Sequence, residues 1–323
     1  MKIPPNKIIV SELAREYGYL PYMIDRYIKI LGIEETKEFL KANENTLMKS
    51  IRINTIKIKI ESLLLRLEKK GVKLQQIDQI PYGFKILKSK YNLGSTHEFL
   101  QGYYYLQNEA SMIPALVLSP KSSEVIIDMC AAPGSKSTQL AQEMNNKGAL
   151  ILIERNSKRI PKLEYNLRRM GVENSIVINM DARKLDSLNI RANKILLDAP
   201  CSGEGLIRVD PNRKRSKTKL DIERLTKIQK ELLKAGLKTL KPGGQLMYCT
   251  CSIAPEENEL VVNSVLNELQ DFSIVEMNRN FGVNGLTNAF GFNLIDDLKF
   301  SQRLYPHIKD TIGFYLCLIE KVN

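Results

Sequence analysis

The pattern of apolar and polar positions divides the chain into two parts. Residues 9–43 carry apolar side chains at helical spacing with Gly and Pro interruptions, which predicts a helical segment. The run SIRINTIKI (50–58) alternates apolar and polar residues, as half-buried strands do. A helical pattern follows in IESLLLRLEKKG, which ends at Gly71, and VKLQQID and GFKILKS have the composition of further strands. This order predicts a small α+β module.

From about residue 123 the strands lose their alternation. The short apolar runs EVIIDM, ALILIE, SIVINM, KILLDA and QLMYCT are typical of strands buried on both faces of a parallel sheet. Helical segments separate these runs, and FSIVEM and TIGFYLCLIEK are candidate late strands. The alternation predicts an α/β, doubly wound, Rossmann-like domain. Because LSPKSS interrupts the pattern, we expect an N-terminal module at 1–120 and the sheet domain at 121–323.

The turn after the first buried strand limits the ligand that such a sheet can hold. In doubly wound sheets ligands bind at the carboxyl ends of the strands, and here the first strand leads into CAAPGSKSTQL. A dinucleotide site needs GxGxxG and a P-loop needs GxxxxGK[ST], and neither pattern is present. S-adenosylmethionine remains, since it needs a small-residue turn and acidic partners for its hydroxyl and amino groups.

Acidic residues follow four successive strands. Glu154 ends the second strand, where a carboxylate can accept hydrogen bonds from both ribose hydroxyls. Asp181 ends the third and could accept from an adenine amino group, while Asp128 and Asp198 end the first and fourth. Any one of them could instead cap a helix. Four carboxylates in register at strand ends favour a cofactor site.

Five cysteines occur without the spacing of a disulfide framework, at positions 130, 201, 249, 251 and 317. The N-terminus has no export signal, so we expect a cytoplasmic protein with reduced thiols. There is no CxxC and both histidines are distant in sequence, so no metal is expected. Cys249 and Cys317 lie inside strands as core thiols, by this interpretation. Cys201 and Cys251 each follow a neighbouring strand, and on position alone either could be a nucleophile.

Charge adds a candidate partner. The 323 residues carry a net charge of +12 with a pI near 9.3, which favours a polyanion such as nucleic acid. No apolar run approaches the roughly 20 residues of a membrane span, so no membrane association is expected.

Three long motifs resemble those of the RNA cytosine-5 methyltransferases of the NOL1/NOP2/Sun family. They are DMCAAPGSKSTQ (128–139), ILLDAPCSGEG (195–205) and YCTCSIAPEENE (248–259). Shorter matches in LQNEASM, RINT and RLYPH…GFY extend the resemblance over most of the chain from about 50 to 320.

The resemblance implies a role for each matching residue. Cys251 would attack the base and Cys201 would help the adduct break down, while Asp198 would contact the base and the cofactor region. S-adenosylmethionine would be held by Glu154, Arg159, Asp181 and Asp198 and by the turn residues Cys130, Ala131, Ala132, Pro133, Gly134, Ser135 and Lys136. The base that removes the C5 proton stays open between Cys201, Asp198 and a water molecule.

The resemblance also implies RNA as substrate. We expect phosphate contacts from the basic loop at 210–219, through Arg213, Lys214, Arg215 and Lys217. The N-terminal β-α-β-β order resembles an RNA-recognition sheet, and Tyr103–Tyr105 could stack on bases or belong to the core. No further RNA-binding module is evident, and the compact form resembles archaeal tRNA enzymes. We therefore expect tRNA as substrate; rRNA, or a non-catalytic ribosome-assembly role on the same fold, is the alternative.

Overall fold

A computed structural model describes residues 5–322, which form ten α-helices and three β-sheets. The α-helices are α1 (Pro5–Tyr17), α2 (Pro21–Leu31), α3 (Ile33–Glu44), α4 (Ile60–Lys69), α5 (His97–Leu100), α6 (Glu109–Leu118), α7 (Ser135–Glu143), α8 (Ile160–Met170), α9 (Lys219–Thr239) and α10 (Glu259–Leu266). The predicted N-terminal helical segment is confirmed as α1–α3, with breaks at 18–20 and at Gly32.

The strands fall into three sheets. They are β1 (Ser50–Ile53), β2 (Lys73–Gln76), β3 (Gly83–Lys88), β4 (Tyr104–Leu106), β5 (Val125–Asp128), β6 (Ala149–Ile153), β7 (Ser175–Ile178), β8 (Ala192–Asp198), β9 (Leu240–Thr250), β10 (Phe272–Ile274), β11 (Val283–Asn284), β12 (Asn288–Ala289), β13 (Phe292–Asn293), β14 (Gln302–Leu304) and β15 (Phe314–Lys321). The strands β12 and β13 form a small separate pair.

The first sheet has the order β2-β3-β1-β4 and is antiparallel throughout. The predicted strand at 50–58 was too long, because β1 ends at Ile53. Asn54 turns the chain there: its side-chain amide donates to the carbonyls of Gly102 and Met170, and its oxygen accepts from the Ile56 N–H. The alternation of residues 55–58 therefore belongs to a turn and not to a strand.

The face of β1 that carries Arg52 packs against the larger sheet domain. Arg52 is fully buried and donates hydrogen bonds to Ser135 O and to Thr138 Oγ1, both on α7. One hydrophobic cluster contains core residues of both sheets, such as Ile51 and Leu316. The larger domain therefore contacts the Arg52 face of this sheet, and the expected resemblance to an RNA-recognition sheet stays a prediction.

The large sheet has the order β11-β14-β15-β9-β8-β5-β6-β7, with β10 paired to β15. The strands β5 to β9 are parallel, as their uninterrupted apolar runs predicted, and the predicted late strands β10 and β15 are confirmed. The strand β15 runs antiparallel to β9 and β14. Apolar residues of α7 and α8 share a core with one face of this sheet, and those of α9 and α10 share a core with the other. The predicted α/β, Rossmann-like fold is confirmed.

The carboxyl ends of β5, β6, β8 and β9 meet at one edge of this sheet, because the four strands are parallel neighbours. The helices α1–α3 pack beside this edge, where their cluster includes Ile207, Ile253 and Tyr305 from the loops. Among the helices of residues 5–322, none has the length and apolar character to cross a membrane. The loops at this edge carry the residues that the sequence singled out.

Candidate active site

The two strand-end cysteines lie side by side. The strands β8 and β9 pair in parallel with Asp198 opposite Cys249, so the loops that follow them leave the sheet together. The Sγ atoms of Cys201 and Cys251 are 3.3 Å apart, and both side chains are partly exposed. A single ligand atom placed at this edge can therefore contact both sulfur atoms.

Backbone contacts hold the Cys251 loop against the Cys201 loop. The Gly205 N–H donates to Cys251 O over 2.9 Å, and the Gly313 N–H donates to Gly205 O over 2.9 Å. A Cβ atom on Gly205 would lie 1.9 Å from Gly313 O, so no other residue fits there without moving one of the loops. The close packing of these backbones fixes the position of the Cys251 loop.

Buried side chains also connect the Cys201 loop to the Cys251 loop. Glu257, which is fully buried, accepts from the N–H and the hydroxyl of Ser202. The Ser202 hydroxyl also contacts the Ser252 hydroxyl at 3.2 Å. The residues after Cys201 and after Cys251 thus share one hydrogen-bonded network, which limits movement of the sulfur atoms.

An ion pair borders the two cysteines. The Lys136 ammonium donates to Asp198 Oδ2 over 2.7 Å, and only 11% of the Lys136 side chain is exposed. Burial opposes the charge on Lys136, but the Asp198 carboxylate outweighs it and raises the pKa of the lysine. Lys136 therefore carries a positive charge at neutral pH, and its field acts on the nearby Cys251 as well.

The neighbouring thiols stay protonated. The hydrogen bond to Cys251 and burial raise the pKa of Cys201 well above its usual range. Burial and the Asp198 carboxylate do the same to Cys249, whose Sγ lies 3.7 Å from Asp198 Oδ1. Cys249 is fully buried as expected, but it contacts a residue of the site and is more than core packing. A protonated Cys201 can donate a hydrogen bond to the Cys251 sulfur.

A cleft of about 490 Å³ extends from the cysteines along the strand ends, within the usual range for small-molecule sites. Its walls include Cys130, Ala132, Glu154, Asp181 and Asp198. The Glu154 carboxylate is almost fully buried, lies 3.3 Å from Arg159 Nη1 and accepts the Asn156 N–H. These residues fit S-adenosylmethionine: the turn residues Cys130 and Ala132 form one wall, and a carboxylate sits at the end of β6.

Asp181 lies in the same cleft but is engaged by the protein. Arg183 donates to both of its carboxylate oxygens, and the Arg183 N–H donates to it as to a helix cap. The hydrogen bonds from Arg183 lower the pKa of Asp181. Both sequence interpretations apply to this residue, since it caps a turn and also faces the cleft.

The turn after β5 depends on Gly134 and Asp128. Gly134 has φ of +100°, a left-handed conformation that disfavours side chains, and directly precedes α7. Asp128 is buried beneath the turn and accepts from the Ser137 hydroxyl and the Cys130 N–H. Burial raises the pKa of Asp128 to about 6. Its carboxylate thus supports the turn but does not line the cleft.

We expect Asp128→Asn to remove a pH dependence of stability. Because the folded pKa of about 6 lies above the ordinary value of 3.8, the fold favours the protonated acid. The free energy of unfolding of the unmodified protein should then fall by up to about 3 kcal/mol as pH rises from about 4 to 6. The asparagine amide can donate to the Ser137 hydroxyl, so the variant keeps the contact. Urea midpoints across this pH range measure the effect, and parallel curves for both proteins would contradict it.

Most basic side chains of the predicted RNA-binding loop form hydrogen bonds or ion pairs with other parts of the protein. Arg213 donates to Ser202 O over 3.0 Å and lines the cleft. Lys214 donates to Tyr17 O and pairs with Glu44, while Arg215 donates to Gly18 O. Three of the four predicted phosphate contacts therefore bind other parts of the protein, namely the Cys201 loop, the end of α1 with the adjacent Gly18, and α3. Lys217 is partly exposed beside them.

Several residues of the site environment were not predicted. Arg26, on α2, reaches the Cys201 loop and forms a buried ion pair with Glu204 at 2.5 Å. Arg303 and Glu259 form a second buried pair, and Arg303 also donates to Ile253 O just after Cys251. Sequence offers no signal for such pairs, since 178 and 44 residues separate the partners. Within residues 5–322 no cluster of His, Cys, Asp and Glu has the arrangement of a metal site.

Together, the sheet order and the cleft at the carboxyl ends of its strands are those of the Rossmann-like fold that S-adenosylmethionine-dependent methyltransferases share. The solved structures agree. A methyltransferase homologue from Pyrococcus horikoshii has a TM-score of 0.89 and 36% identity, covering 99% of this chain and 100% of its own. NSun6 from the same organism, solved with SFG, has a TM-score of 0.82 and 29% identity over 93% of this chain and 97% of its own.

The family is equally well defined. The family described as 16S rRNA methyltransferase RsmB/F matches residues 115–320, and the N-terminal domain of 16S rRNA methyltransferase RsmF matches residues 20–109. The chain therefore belongs to the RsmB/F family, the Sun/NOP2 group of RNA methyltransferases, and the resemblance seen in its motifs is confirmed.

Curated relatives are longer than this chain. A 28S rRNA (cytosine-C(5))-methyltransferase of Mus musculus is 36% identical over 97% of the chain and 40% of its own length. Ribosomal RNA small subunit methyltransferase F of Vibrio campbellii is 35% identical over 89% of the chain and 60% of its own length. The chain thus spans between two fifths and three fifths of the length of these two relatives.

Proposed function

We propose that the protein transfers a methyl group from S-adenosylmethionine to C5 of cytosine in RNA. The observation that carries the proposal is the Cys201–Cys251 pair, 3.3 Å apart at the end of the cofactor cleft. A non-catalytic assembly factor would have no need of two apposed thiols beside a charged pair. Family membership and the names of the relatives support the same reaction.

In this proposal Cys251 is the nucleophile. C5 of cytosine reacts poorly with electrophiles, but addition of a thiolate at C6 makes it enamine-like. The Lys136 ammonium and a hydrogen bond from the protonated Cys201 both favour negative charge on the Cys251 sulfur. The new Sγ–C6 bond then places electron density at C5.

Asp198 is positioned to contact the cytosine ring, and the ion pair with Lys136 holds the Asp198 carboxylate in place. The carboxylate of Asp198 is one-third exposed towards the cleft while Lys136 fixes its other side. From this position it can accept a hydrogen bond from the exocyclic amine, or from N3 once N3 is protonated, and so stabilise the protonated adduct. S-adenosylmethionine, when bound, supplies the electrophilic methyl group. A base, for which Cys201, Asp198 and a water molecule are the candidates, then takes the C5 proton. The electrons of that C–H bond form the C5–C6 double bond, and the Sγ–C6 pair returns to the Cys251 sulfur, beside which Cys201 stands.

The substrate could belong to either of two classes of RNA. The sequence interpretation expected tRNA, whereas the matched family and the curated relatives are named for rRNA. These names favour rRNA, the alternative that the sequence interpretation kept. Both RNA classes therefore belong in one assay.

In the assay the protein is incubated with labelled S-adenosylmethionine and purified tRNA in one reaction, and with labelled S-adenosylmethionine and purified rRNA in another. Label is expected in 5-methylcytosine of one class, and nucleoside analysis identifies the modified base. Cys317→Ala is the matched control for thiol loss, because Cys317 is fully buried in β15 and should leave incorporation intact. No incorporation into either RNA would count against an enzyme and favour the assembly-factor alternative.

A further inference from the structure

Two buried arginines near the site have no acidic partner. Arg52 is fully buried and Arg169 is 7% exposed. Arg52 donates to Gln107 Oε1, Ser135 O and Thr138 Oγ1, and Arg169 donates to backbone oxygens such as Phe99 O. Within residues 7–322 neither guanidinium has a carboxylate within 4 Å, and the Nε of each lacks any hydrogen-bond partner. Buried charges are normally paired, so this positive charge is not neutralised locally.

The nearest acidic influence on Arg52 is indirect. Glu143 accepts from the Tyr82 hydroxyl, which accepts from the Gln139 amide, and Gln139 Oε1 lies 3.5 Å from Arg52 Nη1. Burial lowers the pKa of Arg52 to about 10 and also lowers that of Arg169. Burial and the charge of Arg169 lower the pKa of Lys57 as well. Arg52, with a pKa of about 10, stays cationic at neutral pH and would gain from a nearby anion.

Aromatic rings and further cations line the surface above these arginines. The Tyr105 ring, partly exposed, lies 5.6 Å from the Arg52 guanidinium and 5.3 Å from that of Arg169. On α8, Lys162, Tyr165 and Arg169 follow at helical spacing and share one face. Tyr165 is 49% exposed, and Lys162 is exposed without an ion pair among the described residues. We call this surface the α8–β4 seam, and it consists of Lys57, Tyr105, Lys158, Lys162, Tyr165 and Arg169.

The seam is continuous with the active site. Arg52, beneath it, binds the carbonyl of Ser135, the residue before Lys136, and Lys136 pairs with Asp198. From within α8, the Asn166 amide donates to Pro133 O in the turn beside the cofactor cleft. The seam residue Tyr105 also lies close enough to Lys136 for the charge of the lysine to act on it, so the seam adjoins residues that border the cysteines.

We propose that the α8–β4 seam binds the RNA segment next to the target cytosine. Phosphates lie over Lys158, Lys162 and the unneutralised arginines, and a base stacks on Tyr165. Proteins that bind single-stranded RNA combine cations with exposed aromatic rings in this way. The inference rests on the proposed function, because it takes RNA as the substrate. It assigns the phosphate contacts to a surface other than the loop at 213–217, whose side chains mostly bind the protein.

The test compares two double variants. Lys158→Ala with Lys162→Ala removes two seam charges, and Lys227→Ala with Lys238→Ala removes two exposed charges on α9, on the other face of the sheet. The probe is a fluorescent, cytidine-rich single-stranded RNA, and the dissociation constant is measured as a function of salt. The seam variant should bind about tenfold more weakly and lose about 1.4 from the slope of log K against log salt, about 0.7 per phosphate. The α9 variant should match the unmodified protein.

Tyr165 gives an independent readout. Tyr165→Ala should raise the dissociation constant and the KM for RNA about tenfold without changing kcat or the affinity for S-adenosylhomocysteine, while Tyr165→Phe should retain full binding. Equal salt slopes in both double variants, or equal binding by Tyr165→Ala and Tyr165→Phe, would overturn the seam. Binding is measured without methyl transfer, so an active enzyme with unchanged slopes refutes the seam alone. A protein that methylates no RNA refutes the proposed function instead.

Discussion

Cys251→Ala is expected to abolish methyl transfer, whereas Cys201→Ala should accumulate a covalent protein–RNA adduct. Removal of the nucleophile eliminates the Sγ–C6 bond on which activation of C5 depends, so the rate should fall by about 10⁴-fold or more. Without Cys201 the adduct forms, but it lacks the partner that stands 3.3 Å from the leaving sulfur. A denaturing gel with labelled RNA separates the two results, since only a covalent adduct migrates with the protein.

Two controls accompany this experiment. Cys317→Ala removes a fully buried thiol outside the site and should show neither loss of transfer nor adduct. The double variant Cys201→Ala, Cys251→Ala should show no adduct, because the accumulating bond is made by Cys251. If the adduct appears in Cys251→Ala instead, Cys201 is the nucleophile and the two roles are exchanged.

Arg303→Met is expected to destabilise the fold by about 3–5 kcal/mol, because it leaves the Glu259 carboxylate buried without its cation. Both side chains are almost inaccessible to solvent, at 1% and 0% exposure. Arg303 also donates to Ile253 O over 3.0 Å and to the Tyr305 hydroxyl over 2.8 Å. The loop that carries Cys251 should therefore loosen together with the core.

Urea unfolding followed by circular dichroism measures this loss, since the chain has no tryptophan for fluorescence. Lys234→Met is the matched control: its partner Glu268 is 56% exposed, and a surface pair contributes at most about 1 kcal/mol. The double variant Arg303→Met, Glu259→Leu should recover much of the stability, because no unpaired charge remains. Equal losses in Arg303→Met and Lys234→Met would contradict the expectation.

The parts of the fold that sequence could predict are those in which burial dictates the residue pattern. Strands β5 to β9 are covered on both faces, so their runs are apolar without alternation, and their order along the chain fixes the sheet edge. Residues that follow those strands must gather at that edge. The apposition of Cys201 and Cys251 and the placement of Glu154 and Asp198 in one cleft follow from this rule.

What sequence could not predict depends on contacts between distant segments. Helix α6 was missed because seven of its ten residues are buried and its apolar positions leave no polar face to reveal a period. The end of β1 at Ile53 is set by the Asn54 amide, which binds carbonyls 48 and 116 residues away. Lys214 and Arg215 likewise form their contacts with residues at the start of the chain. The positive charge of the loop at 213–217 does not by itself predict these contacts.

The helices α1–α3 couple the N-terminal part of the chain to the two cysteine loops. Arg26 on α2 supplies the cation for Glu204 in the Cys201 loop, and the same helices cover Ile207 and Ile253 on the two cysteine loops. A fragment that begins at residue 121 would expose these apolar side chains and leave a buried carboxylate unpaired. Exchange of the N-terminal module for that of a relative should therefore require matching changes in the cysteine loops.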